Sequence, residues 1–247
     1  MDIYKVTNKQ QSWYGISIGI IILNVNIPYL PGNVGNATTF PFPVQYIKVK
    51  EATLKRLIEK QDSSLIQPFI NAAKELESQG VKAITGGCGF TALFQKEVAA
   101  SVSVPVFLSS LLQIPFIFQI IAPGQKIGLV TADKASLSDN HFKAVGVDTD
   151  YIPLVIAGME DKEEFRQAIL EEKGTLDSSK IEKELLDTVE KMTQNNPEIG
   201  AILLECSDLP PYSYKVQQKT GLPVFDYITM INFVHTAVVK NQFQGYL

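Results

Sequence analysis

VKAITGGCGFT (residues 81–91) and IGAILLECSDL (residues 199–209) are two versions of one pattern. Each is an apolar run of strand type that ends in a polar turn, and Cys88 and Cys206 hold the same place in the two turns. They lie 118 residues apart, and at the same offset Pro105-Val106-Phe107 recurs as Pro223-Val224-Phe225. A weaker echo links Gly19, in the apolar run 14–24, with Gly128, in the run 126–132. Repeated strand–Cys–helix–strand units in fixed register imply an internal duplication, with two similar lobes about a pseudo-twofold axis.

Further out, short β-rich runs alternate with amphipathic stretches, the βαβ signature of a parallel sheet. Strands are expected at 14–24, 81–86, 104–108, 126–132, 148–155, 199–205 and 222–226. Helices are expected at about 51–79, 91–101, 109–121, 137–144, 161–172, 178–194, 211–219 and 227–240. Runs such as IGIIIL need cover on both faces of the sheet, which the intervening helices supply. The fold class is therefore α/β, with two Rossmann-like lobes of parallel sheet and an active site in the cleft between them.

Composition narrows the function. The net charge of −4 provides no basic footprint for nucleic acid or an anionic membrane. The apolar run Tyr14–Leu23 is too short to span a bilayer and is read as a buried strand. Two cysteines without C-x-x-C spacing argue against a disulfide scaffold or a structural zinc site, and no metal motif is present. The expected setting is the cytoplasm. The expected partner is a small-molecule carboxylate, with self-association left open. Only Arg56 and Arg166 carry guanidinium groups, so backbone N–H groups and Ser, Thr or Asn side chains are the expected anion hosts.

Each cysteine stands just past the carboxyl end of a strand, where open α/β sheets place ligands. A helix follows each, and its N-terminal field is expected to lower the thiol pKa towards neutrality. Two thiols on facing walls suit proton exchange at one carbon, with one acting as base and the other as acid. Gly86, Gly87 and Gly89 would let backbone N–H groups approach a carboxylate, or simply make a tight turn.

GGCGFT at 86–91, LLECSDLPPY at 203–212 and PVFD at 223–226 together resemble the aspartate/glutamate/hydantoin racemase superfamily over nearly the whole chain. The resemblance implies a cofactor-independent racemase or epimerase without PLP, with catalytic cysteines matching Cys88 and Cys206. Its substrate would be an amino acid or hydantoin-like carboxylate. It also implies a C-terminal helix returning to the first lobe, giving lobes of 1–112 plus 226–247 and of 113–225. A maleate-isomerase-like or arylmalonate-decarboxylase-like enzyme and a non-catalytic two-lobed binding protein are the alternatives. Asp208, two residues after the second cysteine, either tunes Cys206 or caps the helix after Pro210-Pro211.

Substrate contacts are expected from Gly87, Gly89, Phe90 and Thr91 around the first cysteine, and from Ser207 beside the second. Thr131 is a further candidate, at the end of a second-lobe strand. Phe90 departs from the Asn-Thr that usually follows the first cysteine in the amino-acid racemases, and points either to a less polar or bulkier substrate or to simple packing in the core. The Pro/Gly/Asn-rich segment 24–44 reads either as a substrate-contacting lip over the cleft, with Asn26, Tyr29 and Asn33 as candidates, or as an ordinary connecting loop. His141 is a marginal candidate for the cleft, and GNVG at 32–35 lacks the Lys-Ser/Thr of a phosphate loop.

Overall fold

A computed structural model describes residues 3–6 and 9–246. It contains two four-stranded, all-parallel sheets. The strands are β1 (Ile18–Leu23), β2 (Val44–Val49), β3 (Ala83–Gly86), β4 (Val106–Phe107), β5 (Lys126–Thr131), β6 (Leu154–Gly158), β7 (Ile199–Leu204) and β8 (Val224–Phe225). The helices are α1 (Ile66–Ser78), α2 (Gln95–Ala99), α3 (Ile114–Ile120), α4 (Asp139–Ala144), α5 (Glu163–Phe165), α6 (Ser178–Asn195), α7 (Ser213–Thr220) and α8 (Tyr227–Val238). The sheet orders are β2-β1-β3-β4 and β6-β5-β7-β8, one topology used twice.

The duplication extends to single hydrogen bonds. Gly19 pairs with Ile84 in the first sheet, and Gly128 pairs with Ile202 in the second. Ile84 N–H donates to Pro105 O and Ile202 N–H to Pro223 O, both at 2.9 Å. Gly19 and Gly128 mark where a helix rides directly on the sheet. A Cβ built on Gly19 would lie 2.9 Å from the Leu76 side chain of α1, and one on Gly128 would lie 2.7 Å from Met192 of α6. Such contact leaves no room for a side chain, so glycine recurs.

All six residues of β7 are buried, as are five of the six in β1, as expected for parallel strands covered on both faces. α8 packs its buried Tyr227, Met230 and Ile231 against Ile18, Ile20 and Ala83 of the first sheet. The Tyr227 hydroxyl donates to Leu108 O at 2.8 Å. Among the described residues no helix is long and apolar enough to cross a membrane.

Two elements differ from expectation. The segment after β1 is not loop throughout, because its end forms the edge strand β2, on which only Val49 is fully buried. Prolines at 41 and 43 and the absence of a buried apolar run hid that strand. β6 begins six residues later than the expected 148–155, since residues 148–151 form a turn closed by Ile152 N–H on Asp148 O.

Candidate active site

Cys88 follows β3 and opens a 3₁₀ turn (Gly89–Phe94); Cys206 follows β7 and precedes a shorter one (Pro210–Tyr212). Neither is a full α-helix, so each offers only a weak terminal field. Burial dominates instead and pushes the Cys88 thiol above the usual range, reinforced by the charge of Glu205; the Phe90 N–H opposes it. Cys206 is likewise pushed up by burial, then by Asp208 and Glu205. The expected lowering of the thiol pKa values is thus reversed: desolvation outweighs the turn N–H groups.

Asp208 is placed against the second sulfur, with Cys206 Sγ 3.6 Å from Asp208 Oδ2. Its other oxygen accepts from Asn33 Nδ2 at 2.6 Å. Burial raises the Asp208 carboxyl to about 6, while those two bonds pull it down. Asp208 is not a helix cap: Leu209 precedes the turn at 210–212, and Tyr212 stands at the N-cap of α7, the helix that follows. The residue that delivers Asn33 is held by a close approach across the cleft, since a Cβ on Gly32 would lie 2.7 Å from Pro211 Cα, and Gly32 has φ +101°. Tyr29 comes from the same segment, and its phenol is raised by burial and then by Asp208 and Cys88.

The two cysteine turns interlock. Gly87-Cys88-Gly89 meets Glu205-Cys206-Ser207 through one hydrogen bond and one glycine-for-side-chain fit. Ser207 Oγ donates to Gly87 O at 2.8 Å. A Cβ on Gly89 would collide with the Glu205 carboxyl. Gly89 therefore makes room for the opposite lobe, whereas Gly86 and Gly87 are glycine because Leu108, Thr91 and Ile22 of their own lobe lie against them. Glu205 lies wholly buried, with Oε2 accepting from the Thr131 hydroxyl at 2.8 Å. Burial raises it to about 7 against the bonds from Thr131 and the Ala132 N–H.

Between the turns is a small cavity lined by Tyr29, Gly87, Cys88, Cys206, Ser207 and Asp208, with apolar walls. The walls include Leu54 and Ile58, at the start and within the first of two π-helical turns (Lys55–Glu59), and Ile169 and Leu170 of the second (Arg166–Leu170); both turns lie inside the helical stretches expected at about 51–79 and 161–172. Among the described residues no lysine, arginine or histidine lines it.

Several sequence candidates lie elsewhere. Phe90 is buried in the core with its ring edge-on to His141. Thr91 is buried, and its hydroxyl bonds to Cys88 O and Leu108 O. Thr131 is committed to Glu205. Asn26 is exposed and gives its N–H to Glu172. His141 is buried in the core, with Nδ1 accepting from Ser138 N–H; desolvation lowers it to about 4. Glu205 escaped the sequence reading, although a carboxylate ending the apolar run ILLE directly before a cysteine was the available signal.

Fold and site define an α/β enzyme with the fold of the aspartate/glutamate racemase superfamily. Allantoin racemase from Pseudomonas fluorescens superposes with a TM-score of 0.62 over 91% of each chain at 14% identity. Unliganded arylmalonate decarboxylase does so with a TM-score of 0.60, covering 92% of this chain and 94% of that one at 13% identity. No protein-family model matches the sequence. The chain is 35% identical over 230 residues to dimethylsulfoniopropionate lyase from Durusdinium sp. clade D, covering 91% of this chain and 76% of that protein. It is 36% identical over 231 residues to dimethylsulfoniopropionate lyase 3 of Emiliania huxleyi (strain CCMP1516), covering 91% of this chain and 60% of that protein.

The chain belongs to the dimethylsulfoniopropionate lyase family. This overturns the expected racemase function, and its alternatives with it. The sequence motifs reported a fold, and a fold does not specify which bond breaks in the site it carries.

Proposed function

We propose that this chain is a lyase that eliminates dimethyl sulfide from dimethylsulfoniopropionate, leaving acrylate. The carrying observation is the charge character of the cavity: two thiols and Asp208 among apolar walls, without a basic side chain. Such a site disfavours a dianionic substrate and suits a compact zwitterion with a sulfonium at one end. The Tyr29 ring and the Cys206–Asp208 pair, which carries one negative charge whichever member holds the proton, are the natural hosts for that cation. Ring faces and carboxylates both attract positive charge in a dry site.

The chemistry follows from the bonds. A base removes a proton from the carbon next to the carboxylate, and the electron pair forms the new C=C bond. The C–S bond breaks, and its electrons go to sulfur, which leaves as neutral dimethyl sulfide. We assign the base to Cys206, because only its sulfur has a carboxylate partner to receive the thiol proton, Asp208 at 3.6 Å. The entering sulfonium favours the thiolate by its charge, offsetting the desolvation that keeps the empty site protonated. Cys88, as a thiol on the facing turn, is positioned to donate towards the substrate carboxylate as charge builds there.

The test is direct. Purified chain supplied with dimethylsulfoniopropionate should release dimethyl sulfide, read by headspace gas chromatography, with equimolar acrylate by proton NMR. Release no faster than in buffer would remove the assignment.

A further inference from the structure

We propose that Glu205 is a positioning residue that holds Cys88 as a thiol, so that of two pseudo-equivalent cysteines only Cys206 serves as base. The inference deepens the lyase reading and rests on it for the roles of the two sulfurs.

The geometry is asymmetric where the duplication predicts symmetry. Glu205 is the lobe-two equivalent of Gly87, 118 residues on, so one lobe supplies a carboxyl where the other supplies none. Its backbone is fixed as Gly87's is: Gly87 N–H donates to Ile21 O at 2.9 Å, and Glu205 N–H donates to Val130 O at 2.8 Å. The side chain then crosses to the first cysteine turn and lies against Gly89, next to Cys88. Oε2 is satisfied by Thr131, whereas Oε1 is buried without a hydrogen-bond partner. A buried oxygen left unpaired costs about 1–3 kcal/mol, so its retention asks for a reason. That unpaired oxygen is the atom a Cβ on Gly89 would meet, in the turn that carries Cys88.

The groups that titrate around Glu205 are Cys88, Cys206, Asp208 and Tyr227. Burial is the largest cause on both sulfurs; next to it, Glu205 supplies the largest charge effect on Cys88, whereas on Cys206 Asp208 comes first and Glu205 second. The carboxyl, raised to about 7, gains its charge as the pH enters the range where a thiol begins to ionise. Below that range Cys88 is protonated in any case; above it the new carboxylate opposes ionisation. Asp208 differs in kind, because it contacts its sulfur and can take the proton, whereas no Glu205–Cys88 hydrogen bond forms.

The experiment follows iodoacetamide alkylation of Cys88 against pH, quantified on its peptide by mass spectrometry in the absence of substrate. Glu205→Gln keeps the shape and removes the charge, and should move the Cys88 midpoint down by about 1 pH unit or more. Glu205→Asp, which keeps the charge, should stay closer to the wild-type curve. The unmodified protein provides a second reading that needs no variant to fold: log rate against pH should rise with less than unit slope near pH 7, where Glu205 charges. An unshifted midpoint in Glu205→Gln, or a strict unit slope through pH 7 in the wild type, overturns the proposal. Because alkylation uses no dimethylsulfoniopropionate, a failed lyase assay and a failed Glu205 assignment are separate outcomes.

Discussion

Gln61 and Glu172 occupy equivalent positions in the two lobes, and each reaches across to the other lobe. They are the two non-glycine residues with positive φ among those described, at 46° and 52°. Each follows one of the π-helical turns that wall the cavity, with matched bonds (Lys60 N–H to Lys55 O, and Glu171 N–H to Arg166 O). Gln61 Nε2 donates to Ser136 O at 3.0 Å, and Glu172 Oε2 accepts from Asn26 N–H at 2.7 Å. A left-handed backbone costs a non-glycine residue about 1–2 kcal/mol, so both positions trade backbone comfort for a bond across the cleft.

That trade has a measurable consequence. Glu172→Ala loses the bond and keeps the strain, whereas Glu172→Gly loses both. Glycine should therefore leave the protein about 1 kcal/mol more stable than alanine at position 172 in urea unfolding. Equal stability would mean that the backbone there is unstrained.

Cys206→Ala should lose about 10²–10⁴-fold or more of dimethyl sulfide release, the scale of a positioned proton-transfer group. Activity within a few-fold of wild type would require a different base. Headspace assay of both single cysteine variants also separates the two sulfurs, since Cys88→Ala should retain more elimination than Cys206→Ala.

Asp208 must be ionised to receive the thiol proton. Its carboxyl is held up at about 6, so kcat/KM should rise with pH through that value and then level. Asp208→Asn should lower the plateau and abolish the rise at that pH. An unchanged acid limb in the variant would show that another group controls it.

Gly89→Ala should destabilise by about 1–3 kcal/mol, because the added methyl meets the Glu205 carboxyl inside a packed interface. Glu205→Ala in the same chain should recover part of that loss. Thermal unfolding of the two single variants and the double variant forms the cycle, and simple additivity would mean that the two residues do not touch.

Glu205 also ties stability to pH. Its folded pKa, about 7, lies above the ordinary 4.5, so the folded state favours the neutral acid. The stability this represents is complete below pH 4.5 and is lost as the pH rises to about 7. Relative to wild type, Glu205→Gln should therefore gain on the order of 3 kcal/mol between those limits. Parallel stability–pH curves would place the charge elsewhere.

The sequence by itself determined the duplication. Apolar runs of strand length, a cysteine at the end of each and a proline at the start of the next strand are local features. Strand pairing reproduces their spacing because a parallel sheet built twice must repeat its register. Cys206 beside Asp208 was legible for the same reason, two positions in one turn. The tertiary structure decided everything that depends on the lobes meeting. Gly89 and Glu205 are 116 residues apart, and nothing local says that one is empty to admit the other. Phe90 and Thr91 flank the first cysteine in sequence, yet the 3₁₀ turn carries both into the core. Asn33 reaches Asp208 across 175 positions. Burial, which raises both thiols where a helix terminus alone would lower them, is a property of the closed cleft, and a strand read in isolation does not contain it.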